Sequence, residues 1–186
     1  MFIQTEPTPN PNAIKFIPGF DVVAQGSYDF RNAESADKAP LVQRLFKLNG
    51  VEGVYLAREF ISVTKNDDVP WDTLKPRVLA AIMDHATSGL PVLDAALESA
   101  ASQAADPHGE SDVIMQIRDI LDTRIRPAVA MDGGDIVFDR FEDGIVFLEM
   151  RGACSGCPSS SATLKNGVES MLRHFIPEVL EVRSVL

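Results

Sequence analysis

The chain has 186 residues, 45% of them apolar and 24% charged, a composition typical of globular proteins that excludes a wholly disordered chain. Its net charge of −10 repels phosphate backbones, and no apolar stretch approaches the roughly 18 to 20 residues of a membrane helix, so neither nucleic acid nor a membrane is expected as a partner. The two cysteines, Cys154 and Cys157, are too few for a disulfide framework and favour a reducing compartment.

The chain divides into two blocks near residue 100. After Leu97 the sequence loses its large apolar side chains, and it then reaches the turn-rich run Asp106-Pro107-His108-Gly109. We therefore predict two small α+β domains, residues 1–90 and 111–186, joined by a flexible linker over residues 91–110. Each block is long enough to form a modest hydrophobic core.

The first block reads in the order strand, strand, helix, strand, strand, helix. Period-two runs bounded by turn residues predict strands over residues 2–6, 13–17, 51–57 and 60–64. Prolines at positions 40 and 70 open two helices, whose apolar residues recur at helical spacing. Asn49-Gly50 and Gly89 end these helices.

The second block begins with a helix capped by Ser111, and Pro127 is expected to kink or end that helix. Residues 136–141 and 145–151 predict a hairpin that turns at Glu142-Asp143-Gly144. A helix over residues 160–174 and a strand over residues 179–185 complete the block. Between the hairpin and this last helix lies the pair Cys154-x-x-Cys157.

Gly152 and Gly156, which lie on either side of Cys154, let the cysteine loop fold back so that both sulfurs point the same way. The following helix begins near the sulfurs, and its N-terminal partial charge favours the thiolate form that a metal needs. Iron–sulfur clusters and structural zinc sites usually take four protein ligands, and one chain offers two cysteines. A two-fold dimer would bring four thiolates together. Exposed loops holding a cluster in this way should make it labile.

Spacing alone gives redox chemistry and metal binding about equal weight. A thiol–disulfide oxidoreductase would use Cys154 as the nucleophile and Cys157 as the resolving thiol. Too few residues follow Cys157, however, for the rest of a thioredoxin-like fold, and Ala153 stands where that motif usually has Trp. A zinc-bridged dimer that serves only for interaction is a further alternative.

Several segments of the sequence closely resemble the Nfu/NifU family of iron–sulfur scaffold and carrier proteins. In the second block they are residues 131–136 (MDGGDI), 152–160 (GACSGCPSS), 163–169 (TLKNGVE) and 177–179 (PEV). In the first block they are residues 3–12 (IQTEPTPNPN), 15–19 (KFIPG) and 71–76 (WDTLKP). The resemblance covers nearly the whole chain outside the linker.

The resemblance implies that Cys154 and Cys157 ligate a [4Fe–4S] cluster that bridges two subunits. It also implies a homodimer when the cluster is bound, an upstream cluster donor, and apo iron–sulfur proteins as clients. On this basis the protein is expected to be a non-catalytic carrier. Because residues 1–7 contain neither a basic region nor a long apolar run, we expect no retained targeting peptide and a bacterial cytoplasmic location rather than a mitochondrial matrix.

Overall fold

Residues 2–94, 111–155 and 160–185 are described by a computed structural model, with side chains for all of them except residues 160–165. The chain forms two units, Met1–Asp106 and Pro107–Leu186. Each unit combines helices with its own sheet, which confirms the predicted α+β class.

Five antiparallel strands form the sheet of the first unit. They are β1 (Gln4–Pro7), β2 (Ala13–Ile17), β3 (Tyr28–Phe30), β4 (Val51–Leu56) and β5 (Ile61–Lys65), in the spatial order β1-β2-β5-β4-β3. Helix α1 (Pro40–Phe46), helix α2 (Trp71–Ser88) and a 3-10 turn at Glu34–Ala36 complete the unit. Four of the strands and both helices confirm the sequence prediction. Strand β3 escapes that prediction because three residues are too few to show an alternating pattern.

Apolar side chains from the sheet and both helices form the core of the first unit. The largest fully buried ones are Phe16, Leu41, Leu45, Leu56, Ile61, Leu74 and Ile82. Leu93 joins this core, and the amide of Asp94 donates to the carbonyl oxygen of Lys38 at 2.8 Å. Residues 91–94, which the sequence placed in the linker, therefore pack on the first unit. The rest of the predicted linker, residues 95–110, lies outside the described residues.

His85 on α2 is buried in the first unit, with 2% of its surface exposed. Within the described parts of the chain, neither ring nitrogen has a hydrogen-bond partner of good geometry. Burial lowers the pKa of the His85 ring, and the positive charge of Arg44 lowers it further. Nearby backbone groups of Leu90 and Pro91 oppose this shift in pKa without cancelling it. The folded protein therefore keeps the ring neutral at pH values where the unfolded chain binds a proton.

We expect the first unit to lose stability as the pH falls below about 6.5, where unfolded histidine takes up a proton and folded His85 does not. The free energy of unfolding should fall by at most about 1.4 kcal/mol per pH unit. Above about pH 6.5 it should not depend on His85. Denaturant titrations at several pH values, followed by the fluorescence of Trp71, the one tryptophan in the sequence, measure this free energy. A His85→Gln variant supplies the control, and equal pH dependence in both proteins would contradict the prediction.

The second unit begins with a long helical segment. Helix α3 (Asp112–Ile120) passes through a π-helical turn (Leu121–Ile125) into helix α4 (Arg126–Met131). Pro127 therefore does not end the helix, because the wider π turn directly before it accommodates a residue that has no N–H to donate. Ser111 occupies the predicted N-cap position, but its side chain makes no capping hydrogen bond.

Strands β6 (Gly134–Glu142), β7 (Ile145–Gly152) and β8 (Glu181–Val185) form the sheet of the second unit in that spatial order. Strands β6 and β7 form the predicted hairpin, which turns at Asp143 and Gly144 with φ angles of 49° and 79°. Helix α5 (Ser160–Phe175) connects β7 to the parallel strand β8. Residues 153–159, which include both cysteines, lie between the end of β7 and the start of α5.

Apolar side chains also fill the core of the second unit. The largest fully buried ones are Ile117, Leu121, Ile136, Leu148 and Leu172. They come from the helical segment, from the hairpin and from α5, so the core is assembled by every major element of the unit. Across the described parts of the chain, the helices are too short or too polar to cross a membrane.

Candidate metal centre

Cys154 lies in a tight turn directly after β7. Gly152, the last residue of that strand, has a φ of 63°, a left-handed conformation that glycine adopts without strain. The amide of Ser155 donates to the carbonyl oxygen of Gly152 at 3.0 Å and closes the turn. Cys157, the second predicted ligand, lies outside the described residues, and α5 begins at Ser160.

A second glycine turn packs against the cysteine turn. Gly133, with a φ of 78°, links α4 to β6. Its carbonyl oxygen accepts a hydrogen bond from the amide of Ala153 at 3.1 Å, and Gly134 is the cross-strand partner of Gly152. The motif at residues 131–136 and the described start of the cysteine motif, residues 152–155, thus meet in space, although most of a hairpin separates them in sequence.

The sulfur of Cys154 lies against the backbone of Gly134. A Cβ atom at position 134 would lie 2.5 Å from Cys154 Sγ and 2.8 Å from the carbonyl oxygen of Arg151. Real side-chain carbons do not approach so closely, so the sulfur occupies space that any other residue at 134 would fill. Cys154 is only 5% exposed. The sequence predicted exposed loops around the cysteines, whereas the side chain of Cys154 itself is buried and packs with the core of the second unit.

A bidentate ion pair fixes the start of β6. Arg126 donates from Nε to Asp135 Oδ1 at 2.8 Å and from Nη2 to Asp135 Oδ2 at 2.9 Å. The same carboxylate accepts from the amide of Ile136, and Arg126 also donates to Asp122. The hydrogen bonds with Asp135, which is 4% exposed, raise the pKa of the Arg126 guanidinium further above its usual range. Sequence reasoning missed this pair, although an Asp directly after two glycines was a visible signal.

Further metal ligands are not grouped with Cys154 in the described ranges. Within residues 2–94, 111–155 and 160–185, no three His, Cys, Asp or Glu side chains are arranged to hold a metal ion. His85 belongs to the first unit, and the ring of His174 packs edge-on against Phe175 near the end of α5. A four-ligand metal site that used Cys154 would therefore need further ligands from outside the described residues.

The family models match both units. The model described as "Scaffold protein Nfu/NifU N terminal" matches residues 3–89, and the one described as "NifU-like domain" matches residues 117–183. Together they account for most of the chain. The second match includes Cys154, Cys157 and the glycine turn.

Similar proteins match over the full chain. "NFU1 iron-sulfur cluster scaffold homolog, mitochondrial" from Drosophila sechellia is 50% identical over 186 residues, which is 100% of this chain and 65% of the relative. "NifU-like protein 4, mitochondrial" from Arabidopsis thaliana is 49% identical over 181 residues, which is 96% of this chain and 64% of the relative. The chain therefore spans slightly less than two thirds of the length of these relatives.

The solved structures that match are more distant. The solution structure of a NifU-like protein from Saccharomyces cerevisiae has a TM-score of 0.47 and 24% identity, and it covers 51% of this chain and 86% of that protein. The crystal structure of protein SAV1430 from Staphylococcus aureus has a TM-score of 0.40 and 26% identity, covering 44% and 99% respectively. Both likenesses are too remote to bear on function.

The names of the relatives contradict the expected bacterial cytoplasmic location. Relatives from two Drosophila species and from Arabidopsis thaliana that match along this chain are named mitochondrial. The expectation was wrong because it rested on the composition of residues 1–7. The chain spans about 65% of the length of such relatives, so its first residues carry no information about a leader.

Proposed function

The chain belongs to the Nfu/NifU family, and we propose that it is a non-catalytic scaffold and carrier of iron–sulfur clusters. In this proposal Cys154 and Cys157 of two chains together hold one [4Fe–4S] cluster. The observation that carries the proposal is the placement of Cys154 in a glycine-framed turn within a unit that matches the NifU-like domain.

The ligand count supports the dimeric form of the site. A [4Fe–4S] cluster takes four thiolates, and each chain has two cysteines in total. An isologous two-fold interface places identical loops opposite each other, so two chains supply four sulfurs without any further ligand. Each protomer is then half of the site, and binding of the cluster is linked to association.

The proposed reaction is ligand exchange, with an upstream donor supplying the cluster and apo iron–sulfur proteins receiving it. In each exchange one bond between iron and the sulfur of Cys154 or Cys157 breaks, and one bond to a client thiolate forms. The proton released by the client thiol balances the proton taken up by the carrier thiolate. The cluster passes intact, so no oxidant or reductant is consumed.

The first unit takes a different part in this proposal. Both cysteines lie in the second unit, so the first unit has no thiolate to offer iron. Its own core and five-stranded sheet make it a separate folding unit rather than an extension of the metal centre. We propose that it recognises donor or client proteins, or that it adjusts dimer formation.

Anaerobic reconstitution with iron and sulfide tests the proposal. We expect a brown protein that contains about two irons and two sulfides per chain. Material purified without air should carry iron rather than zinc, and it should not reduce a disulfide substrate. A colourless protein that cleaves disulfides would support the oxidoreductase instead, and stoichiometric zinc would support a zinc-bridged interaction dimer.

A further inference from the structure

We propose that Gly134 is a positioning residue that forms a seat for the Cys154 sulfur and keeps this thiol buried in the unloaded chain. The proposal builds on the proposed function, because it concerns a cluster ligand. Its first observation is the distance of 2.5 Å between Cys154 Sγ and the place where a Cβ atom at position 134 would lie. The missing side chain of Gly134 therefore makes the space that the sulfur fills.

Space rather than backbone angle explains the glycine at position 134. Gly133 has a positive φ, whereas Gly134 does not. An alanine at 134 could therefore adopt the backbone conformation, but its methyl group would overlap the sulfur. The requirement for glycine at this position comes from contact with Cys154 and with the neighbouring carbonyl oxygen of Arg151.

The backbone around the seat is held on both sides. Gly134 is paired with Gly152 in the β6–β7 ladder, and the amide of Ala153 donates to the carbonyl oxygen of Gly133. The next residue, Asp135, is clamped by Arg126 through two hydrogen bonds of 2.8 and 2.9 Å. Rotation of the Cys154 side chain out of the seat would relieve the overlap of a methyl group at 134 with the sulfur, whereas the contact of 2.8 Å with the carbonyl oxygen of Arg151 also requires a shift of the backbone.

The functional consequence is control over when the ligand is available. A seated thiol is shielded from alkylating and oxidising reagents, which attack accessible sulfur. The same sulfur must become accessible when a cluster binds. The seat thus determines how readily the Cys154 sulfur is available to a reagent or to a metal.

Alkylation of the unloaded chain by iodoacetamide tests the seat, in a Cys157→Ser background where Cys154 is the one thiol. We expect Gly134→Ala to raise the alkylation rate by about 10- to 100-fold, the range that corresponds to relief of an overpacked contact. The control is Gly167→Ala on α5, where an added Cβ would meet no atom within 4 Å. That variant should alkylate at the parent rate.

A second comparison needs no change at position 134, in case Gly134→Ala disturbs the hairpin. Moving the thiol by one residue, with Cys154→Ser and Ser155→Cys in the same background, places it at a half-buried position outside the seat. This relocated thiol should also react about 10- to 100-fold faster than Cys154. Hydrogen exchange of the β6–β7 amides is measured on the same variants. If amide exchange and thiol alkylation become faster by the same factor, the faster alkylation reflects general unfolding.

Equal alkylation rates at positions 154 and 155 would overturn the seat, as would a parental alkylation rate in Gly134→Ala. If the rise in Gly134→Ala merely follows amide exchange, the comparison of positions 154 and 155 decides. These outcomes are separate from failure of the proposed function. If the wild-type chain binds a cluster but Cys154 reacts as fast as the relocated thiol, the carrier proposal is kept and the proposed role of Gly134 is rejected. If the wild-type chain binds no cluster, the carrier proposal falls, whatever the alkylation rates.

Discussion

Replacing Cys154 with serine is expected to abolish iron binding while leaving both units folded. A serine hydroxyl is not ionised near neutral pH and is a poor ligand for iron, so the proposed site would keep half of its four thiolates at most. Iron after reconstitution should fall from about two per chain to a small fraction of that value. Cys157→Ser should behave in the same way, because each chain contributes both sulfurs.

The fold should survive the change because the core of the second unit is independent of iron. Its largest buried side chains, such as Ile117, Ile136 and Leu172, pack against one another from the helical segment, the hairpin and α5. Serine is close to cysteine in size, so no large cavity results at position 154. The control is Ser155→Ala, which alters the residue beside Cys154 and should retain full iron content.

Two results would contradict the assignment of Cys154 as an iron ligand. Wild-type iron content in Cys154→Ser would remove Cys154 from the ligand set. Loss of amide protection in the β6–β7 hairpin of the unloaded variant would instead assign the cysteine to the structural core, and the metal would be secondary. Iron analysis and hydrogen exchange on the same preparation separate these possibilities.

Replacing Arg126 with alanine is expected to destabilise the second unit by about 2–3 kcal/mol. The carboxylate of Asp135 is buried, and Arg126 supplies two of its hydrogen bonds. Without the guanidinium, this buried carboxylate keeps the hydrogen bond of 2.8 Å from the amide of Ile136 but loses the positive charge beside it. The half-exposed position of Arg126 keeps the destabilisation below that of a fully buried pair.

Hydrogen exchange of the β6–β7 amides measures this loss. A decrease of about 2–3 kcal/mol corresponds to exchange that is about 30- to 160-fold faster for amides that open with the whole unit. Trp71 fluorescence in denaturant reports on the first unit and should not change. Arg126→Lys should fall between wild type and alanine, because lysine keeps the charge and loses the bidentate geometry.

The matched control for Arg126 is Arg183→Ala on β8. Arg183 pairs with Glu181, and both of these side chains are half-exposed, in contrast to the buried carboxylate of Asp135. Exposed pairs contribute little, so this variant should change stability by less than about 0.5 kcal/mol. Equal effects at Arg126 and Arg183 would show that burial of Asp135 does not determine the result.

Local patterns predicted most of the secondary structure. Strand β7 alternates between buried and half-buried residues along its whole length, and helix α2 begins after Pro70 and stops at Gly89 as its signals indicate. The exceptions have physical causes. Pro127 is a typical helix breaker, but the wider π turn before it accommodates a residue that has no N–H to donate. Leu93 follows a helix stop, yet it is buried because tertiary packing draws the chain back.

The sequence predicted the candidate ligands more readily than their surroundings. Two cysteines at CxxC spacing between a strand and a helix indicate thiolate chemistry directly. The contact between Gly134 and Cys154 does not follow from spacing, because it depends on the register of the β6–β7 ladder and on two turns that meet across it. The clamp by Arg126 likewise joins a helix to a strand. Long-range packing of this kind is set by the fold as a whole.

In the proposed function, one protomer holds half of a cluster site and a second protomer completes it. The most direct test is the mass of the anaerobically reconstituted protein under non-denaturing conditions, measured together with its iron and sulfide content. The expected mass is that of two chains plus one [4Fe–4S] cluster, and both the cluster and the paired species should be lost when Cys154 and Cys157 are replaced with serine. A single chain that carries the whole cluster would contradict the proposed function.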